Sequence, residues 1–261
     1  MAYGDGMTIS LPGQSPQQRR TARIAGVWFV ITFVASIPAL LLYDPVINDT
    51  GYILGAGADT RVQFGAFLEI VTAIAGIATA VVLFPIVKRQ SESIALGYVA
   101  TRVLESTIIV VGLISLLAVV TLRQDLAGAA GAERATLDVV GRALVAIKDG
   151  TFLLGPAYCA GLGNGLLLGY LMYRSGLVPR RMALLGLIGG PLSAVGATFV
   201  LFGAWEQTSA IQFIFTIGEI AWEASLGIYL IVKGFRPSPI LDDALYAGRD
   251  GGSLRPAAAT P

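Results

Sequence analysis

The sequence contains no histidine and a single cysteine, Cys159. Without an imidazole, the chain cannot form a Ser-His-Asp triad, an HExxH zinc site or a histidine-ligated haem. One thiol also excludes an internal disulfide and a cysteine zinc cluster. The net charge is only +1, without the basic surplus of nucleic-acid-binding proteins, so we expect no nucleic-acid partner.

Charged residues are scarce as well. They make up 13% of the 261 residues, whereas a soluble domain carries about 25%. Crossing a bilayer takes about 20 mostly apolar residues, and six stretches of that kind are present. They are 24–43, 63–87, 94–122, 150–173, 182–202 and 210–232. The sequence therefore predicts an all-α fold, an integral membrane bundle of six transmembrane helices in contact with a lipid bilayer.

The basic residues between these spans are distributed unevenly. Next to the spans, and leaving aside Arg249 and Arg255 of the C-terminal tail, ten Lys and Arg lie on the side that holds both termini, and five lie on the other. The positive-inside rule then predicts that both termini are cytoplasmic. Residues 1–18 and 236–261 are rich in Gly and Pro, so we expect disordered ends flanking a transmembrane domain of residues 19–235.

A helix is also predicted outside the membrane, between spans three and four. Leu137, Val140, Leu144 and Ile147 recur at helical spacing within residues 133–148. This amphipathic helix either lies along the outer surface or extends span four. It either closes the top of the bundle or acts as a gating lid.

Five charged residues fall inside the predicted spans: Glu69, Arg102, Glu105, Glu219 and Glu223. A charge at the bilayer centre costs about 2.5–3.5 kcal/mol, so such residues face the bundle interior. Arg102 shares a helix face with Glu105, and Glu219 shares one with Glu223. At about 1.5 Å per residue the two pairs lie at similar depths, which predicts that spans three and six are neighbours.

Two interpretations of this charged cluster stay open. A buried ion pair involving Arg102 could simply fix which helices face one another. Alternatively, four carboxylates against one guanidinium leave a formal charge of −3, which favours proton exchange or cation binding. Glu69, expected to be the farthest from Arg102, is then the carboxyl predicted to stay protonated. No spacing matches a known metal motif, and no cofactor is indicated.

Span four contains residues that are unusual within a membrane helix. Pro156 should kink it, and Gly161 and Gly165 form a small-xxx-small pair that lets another helix approach closely. Alternatively, the helix is broken, and Pro156, Gly161, Asn164 and Gly165 line a cavity. Gly189–Pro191 predicts a second break, in span five.

Several short motifs resemble one known family. They are Phe84–Arg89, Arg102–Glu105, Tyr173–Arg180, Leu185–Pro191, Trp222–Gly227 and Lys233–Phe235. Together, and in this order, they resemble the bacterial membrane proteins grouped as domain of unknown function 4386. The resemblance runs from about residue 20 to residue 235. It implies a multi-pass protein of the bacterial inner membrane and carries over no catalytic or binding residues.

Three functions are compatible with these features. The first is passage of a small solute, an ion or a proton through a cavity lined by buried Glu and Arg. The second is a non-catalytic scaffold or sensor, although the sequence indicates no particular protein partner. The third is a membrane enzyme that uses carboxylates alone, which ranks last because no nucleophile–base pair is visible.

Overall fold

The computed structural model describes residues 13–48, 51–55, 59–128 and 130–243, and their regular structure is helical throughout. Two π-helical segments, Leu153–Cys159 and Gly161–Leu168, join helix α4 (Gly131–Phe152) to helix α5 (Gly169–Ser175) without a gap. Counted as one, this α4–α5 helix brings the described spans to six, each long and apolar enough to cross a membrane. The predicted all-α bundle of six spans is thereby confirmed. The helices are α1 (Pro16–Asn48), α2 (Asp59–Val87), α3 (Glu92–Asp125), α4 (Gly131–Phe152), α5 (Gly169–Ser175), α6 (Arg180–Leu201) and α7 (Ala210–Val232), with 3-10 turns at Tyr52–Leu54 and Pro239–Leu241.

The six spans form a ring in chain order, and α7 closes it by packing against α1. Glycines mark the closest helix contacts. A Cβ on Gly26 of α1 would lie 2.6 Å from the carbonyl oxygen of Gly227, and one on Gly189 of α6 would lie 2.5 Å from Gly218. The packing of α7 against α1 and against α6 therefore depends on glycines, which have no side chain.

Among the described residues, the core of the ring contains two large apolar clusters and a third, small one. Below, the term lower end refers to the end of the bundle that holds residues 13 and 243, and upper end to the opposite one. The lower cluster includes Phe29, Leu83 and Trp222, and the upper one includes Val62 and Leu116. Between them, α2, α3 and α7 bring polar and charged side chains inward, so the middle of the bundle is polar.

The outside of the ring is apolar. Large hydrophobic side chains are exposed along every span, including Val34, Phe67, Ile114, Ile188 and Ile214. A soluble protein rarely leaves such extensive apolar surface uncovered. Together with the span lengths, this surface identifies a multi-pass membrane protein.

The first part of α4 contains the helix predicted between spans three and four. Of the two placements, the structure has the extension of span four, because α4 runs into the π-helical segments without interruption. The face of α4 that points into the bundle differs from the apolar face predicted from the sequence. Leu137 is buried, whereas Val140 and Ile147 are exposed and Lys148 points inward.

At both ends, the described structure extends beyond the predicted boundaries at residues 19 and 235. Gln18, within α1, donates a hydrogen bond to the carbonyl of Leu241 at 2.9 Å, and the Ser238 hydroxyl donates one to the carbonyl of Ser175 at 2.6 Å. These contacts hold residues 236–243 against the lower end. Residues 1–12 and 244–261 lie outside the described part of the chain.

A candidate site in the polar middle of the bundle

Arg102 is buried at the centre of the polar layer. One of its guanidinium nitrogens, Nη1, lies 2.7 Å from Glu105 Oε2 and 3.8 Å from Glu223 Oε1. Its Nε donates a hydrogen bond to the carbonyl of Gly76 at 3.2 Å. A Cβ at position 76 would lie 3.0 Å from Nη2 of Arg102, so glycine there leaves room for the guanidinium. Arg102 thus links α2, α3 and α7.

The second π-helical segment brings Asn164 to the same place. The Asn164 side-chain nitrogen Nδ2 donates a hydrogen bond to Glu223, and Nε1 of Trp222 donates one to the Asn164 carbonyl at 2.9 Å. Asn164 is fully buried. Single π-helical turns within α-helices are frequent at functional sites, and here a π-helical segment places an amide beside a carboxylate.

Glu219 differs from the other carboxylates of the layer. Its side chain is 4% exposed, and neither of its oxygens has a hydrogen-bond partner among the described residues. It packs directly against Gly165, at a point where Gly190 also comes close. The side-chain oxygen of Asn164 likewise has no partner among the described residues. Since buried polar atoms are nearly always hydrogen-bonded, these three oxygens call for an explanation.

The small residues of span four pack closely against another helix, in line with the first of the two interpretations of this span. The neighbour is α6, since a Cβ on Gly161 would lie 2.6 Å from the Gly190 carbonyl oxygen. Pro156 lies within the first π-helical segment, and the helix continues past it. The break predicted at Gly189–Pro191 is absent, because α6 is a continuous α-helix through Pro191. Proline costs one backbone hydrogen bond, which packed membrane helices tolerate.

Glu69 lies apart from Arg102, nearer the upper end, and has a cation of its own. Nζ of Lys148 lies 2.5 Å from Glu69 Oε1. The Tyr43 hydroxyl donates a hydrogen bond to Glu69 Oε2 at 2.8 Å, and the Lys148 ammonium sits 4.9 Å from the centre of the Tyr43 ring. Glu69, which was predicted to stay protonated because of its distance from Arg102, therefore has a counter-charge close by.

Lys148 is the residue that the sequence analysis missed, because it was counted with the external loop. The sequence does contain a pattern that indicates its inward orientation. Lys148 follows Leu137 by about three helical turns, so the two share one face of α4. With Lys148 included, the layer holds two cations and four carboxylates, a formal charge of −2 when all are ionised.

The five predicted residues thus separate into two levels. Arg102, Glu105, Glu219 and Glu223 lie together, and Glu69 lies toward the upper end. Along α2, Glu69 and Gly76 are about 10 Å apart by helix rise, and the Ser106 hydroxyl bonds the Ala73 carbonyl between them at 2.9 Å. The Arg102–Glu223 contact brings side chains of spans three and six together across the ring. The two helices themselves are not neighbours among the described residues, which corrects the prediction that they would be. Polar groups therefore continue from one level to the other.

Other features of the described residues bear on what the layer can bind. No three acidic, histidine or cysteine side chains among them converge as metal ligands. A groove of about 150 Å³ opens at the upper end, lined by Tyr52, Arg142 and Asp149 among others. It contains none of the charged residues of the layer, although Asp149 directly follows Lys148 in α4.

Comparison with known proteins places the chain in a family. No curated protein and no solved structure matches it. The family model described as "Domain of unknown function (DUF4386)" matches residues 24–234, most of the chain. This confirms the resemblance carried by the six short motifs, and the chain belongs to the DUF4386 family.

Proposed function

We propose that the bundle passes a small ion, protons included, through the polar layer at its centre. The observation that carries the proposal is Glu219, a carboxyl buried in the middle of a membrane bundle without a hydrogen-bond partner among the described residues. Ionisable residues within membrane spans commonly mark ion pathways and proton relays. The excess of carboxylates over cations in the layer favours a positively charged ion over a neutral solute.

A purely structural role explains less of this layer. The ion pairs of Arg102 with Glu105 and Glu223 would suffice to fix the helices relative to one another. Glu219 adds a further carboxyl to that arrangement and gains no partner in it. A scaffold has no need for such a group, since removing it would lower the cost of burial.

We also propose an orientation in the bacterial inner membrane, with the lower end in the cytoplasm. Among the described residues, the lower end carries ten Lys and Arg, and the upper end and its loops carry five. Lys148, one of the five, is buried in an ion pair and not exposed at the upper surface. The asymmetry at the two membrane surfaces is therefore stronger than the sequence count.

Flux measurements on reconstituted protein test the proposed passage. Purified protein is placed in liposomes that contain a pH-sensitive dye, and radioactive rubidium serves in parallel as a probe for monovalent cations. We expect flux of at least one of the two above that of protein-free liposomes. In Glu219→Gln this flux should fall to the protein-free level.

The matched control is Glu206→Gln, the same substitution at an exposed glutamate in the turn before α7. It should leave the flux at the parent level. Absence of flux for both probes in the parent protein contradicts the proposal and favours a scaffold. Equal flux in the parent protein and in Glu219→Gln would show that Glu219 is not part of the pathway.

A further inference from the structure

We infer that the ligand of the central layer is a proton and that Glu219 is the group that binds it. The inference deepens the proposed function and rests on it for the proton's movement across the membrane. The binding itself is a property of one side chain and can be measured without transport.

The surroundings of Glu219 favour its neutral form. Two of the groups that act on it electrostatically are carboxylates, Glu223 on its own helix and Glu105 on α3, and the third is Arg102. The Arg102 guanidinium already lies 2.7 Å from Glu105 and 3.8 Å from Glu223, so its charge is shared with both. An ionised carboxylate without a partner of its own is costly to bury, and a proton removes that cost.

The two other helices beside Glu219 supply no compensating charge. The α4–α5 helix contributes Gly165 and α6 contributes Gly190, and neither has a side chain. Asn164, which precedes Gly165, already uses its Nδ2 in the bond to Glu223. Lys148, the other cation of the layer, is paired with Glu69 at the upper level.

A proton also supplies what this part of the layer lacks. The three unpartnered oxygens of Glu219 and Asn164 are all acceptors when Glu219 is ionised. When one proton adds to one Glu219 oxygen, the carboxylate becomes a neutral acid with a hydroxyl donor. The charge of the layer rises by one, and no other atom has to be added or removed.

A metal ion fits the same place poorly. Calcium and magnesium take about six or more oxygen ligands at 2.0–2.6 Å, whereas no three acidic side chains of the described residues converge in that way. The Glu219 carboxyl is also pressed against Gly165 where Gly190 approaches, which leaves little room for a ligand shell. The positive charge of Arg102 close by opposes a second cation. A proton needs one oxygen and no shell.

Infrared spectroscopy tests the inference directly. Spectra of the full chain in lipid bilayers are recorded across a pH titration through neutrality. We expect a protonated-carboxyl band that persists at neutral pH and is lost in Glu219→Gln, which should fold because glutamine mimics the neutral acid. In Glu219→Asp the band should shift and not vanish, which keeps the test valid if the glutamine variant is unstable.

Glu69→Gln is the matched control, since Glu69 is paired with Lys148 and should contribute no such band. A band that survives Glu219→Gln, or one that is lost in Glu69→Gln, overturns the inference. A second arm adds NaCl or MgCl₂ in place of choline chloride at fixed pH. An unchanged band supports proton binding, whereas loss of the band on adding Na⁺ or Mg²⁺ would show a metal site instead.

The two proposals fail in different ways. If liposomes show no flux but the band depends on Glu219, the proton site stands and passage is wrong. If ions pass but the band does not depend on Glu219, passage stands and the proton site is wrong.

Discussion

Lys148 and Glu69 are 79 positions apart in the sequence, and their side chains meet at 2.5 Å inside the bundle. The pair joins α4 to α2, and the Tyr43 hydroxyl on α1 bonds the same carboxylate. Asp149, which follows Lys148, and Val46, three residues after Tyr43, both line the groove at the upper end. The pair therefore lies close to that groove. The pair thus lies between the level of Arg102 and the groove at the upper end.

The first prediction concerns the stability of this pair. Lys148→Met leaves Glu69 buried without a counter-charge, so we expect a loss of about 3–5 kcal/mol in the free energy of unfolding. The double variant Lys148→Met with Glu69→Gln removes both charges and should recover most of that loss. Unfolding in mixed micelles by added denaturing detergent measures both values.

Arg142→Met is the control for this measurement, on the same helix. Arg142 pairs with Asp138 at 2.6 Å, but its side chain is 64% exposed. Exposed pairs contribute about 0–1 kcal/mol, so this variant should differ little from the parent. A Lys148→Met protein as stable as Arg142→Met would show that the buried pair does not contribute to the stability of the fold.

The second prediction concerns the contact between Gly165 and Glu219. A Cβ at position 165 would collide with the Glu219 carboxyl and with the Gly190 backbone, and the backbone cannot rotate away. Gly165→Ala should therefore destabilise the protein by about 1–3 kcal/mol, as other overpacked sites do. The same detergent titration provides the measurement.

Gly150 offers the matched substitution, since it lies in the same long helix and a Cβ there would meet nothing within 4 Å. Gly150→Ala should stabilise the helix by about 0.5–1 kcal/mol, because alanine loses less conformational freedom. Equal effects at positions 150 and 165 would contradict the close helix crossing.

Much of the architecture could be predicted from the sequence because membrane burial leaves a strong signal. Span number and approximate bounds follow from apolar length alone, and Arg102 and Glu105 share a face because they are three residues apart on one helix. The proximity of Arg102 and Glu223 followed from matched depths. In each case, spacing along a single helix or depth in the membrane was enough for the prediction.

What could not be predicted depends on contacts between distant helices. Lys148 was assigned to the helix outside the membrane because it precedes the predicted start of span four at residue 150, whereas the orientation of α4 turns it toward Glu69. Gly189–Pro191 resembled a break because the local sequence does not reveal the packing that keeps α6 intact. That Glu219 has no hydrogen-bond partner among the described residues follows only from the positions of three neighbouring helices.

The third prediction compares Arg102 with Glu219. Arg102→Met removes the only cation at the centre of the layer that the structure describes and leaves Glu105 and Glu223 uncompensated, so a loss of about 3–5 kcal/mol is expected. Glu219→Gln should cost far less, since no bond of that side chain is lost. Parallel unfolding curves measure the difference, and a Glu219→Gln protein that is the less stable of the two would contradict it.

The last prediction tests the orientation. In a Cys159→Ala background, single cysteines replace the exposed residues Ala127 and Thr208 at the upper end and Ser93 at the lower end. A thiol reagent that cannot cross the membrane, added to intact cells, should label positions 127 and 208 and miss position 93. The reason is that the Arg and Lys clustered at the lower end are retained in the cytoplasm during insertion. Permeabilised cells are the control, because all three cysteines should then react. Labelling of position 93 alone in intact cells would reverse the proposed orientation and place the groove beside Asp149 on the cytoplasmic side.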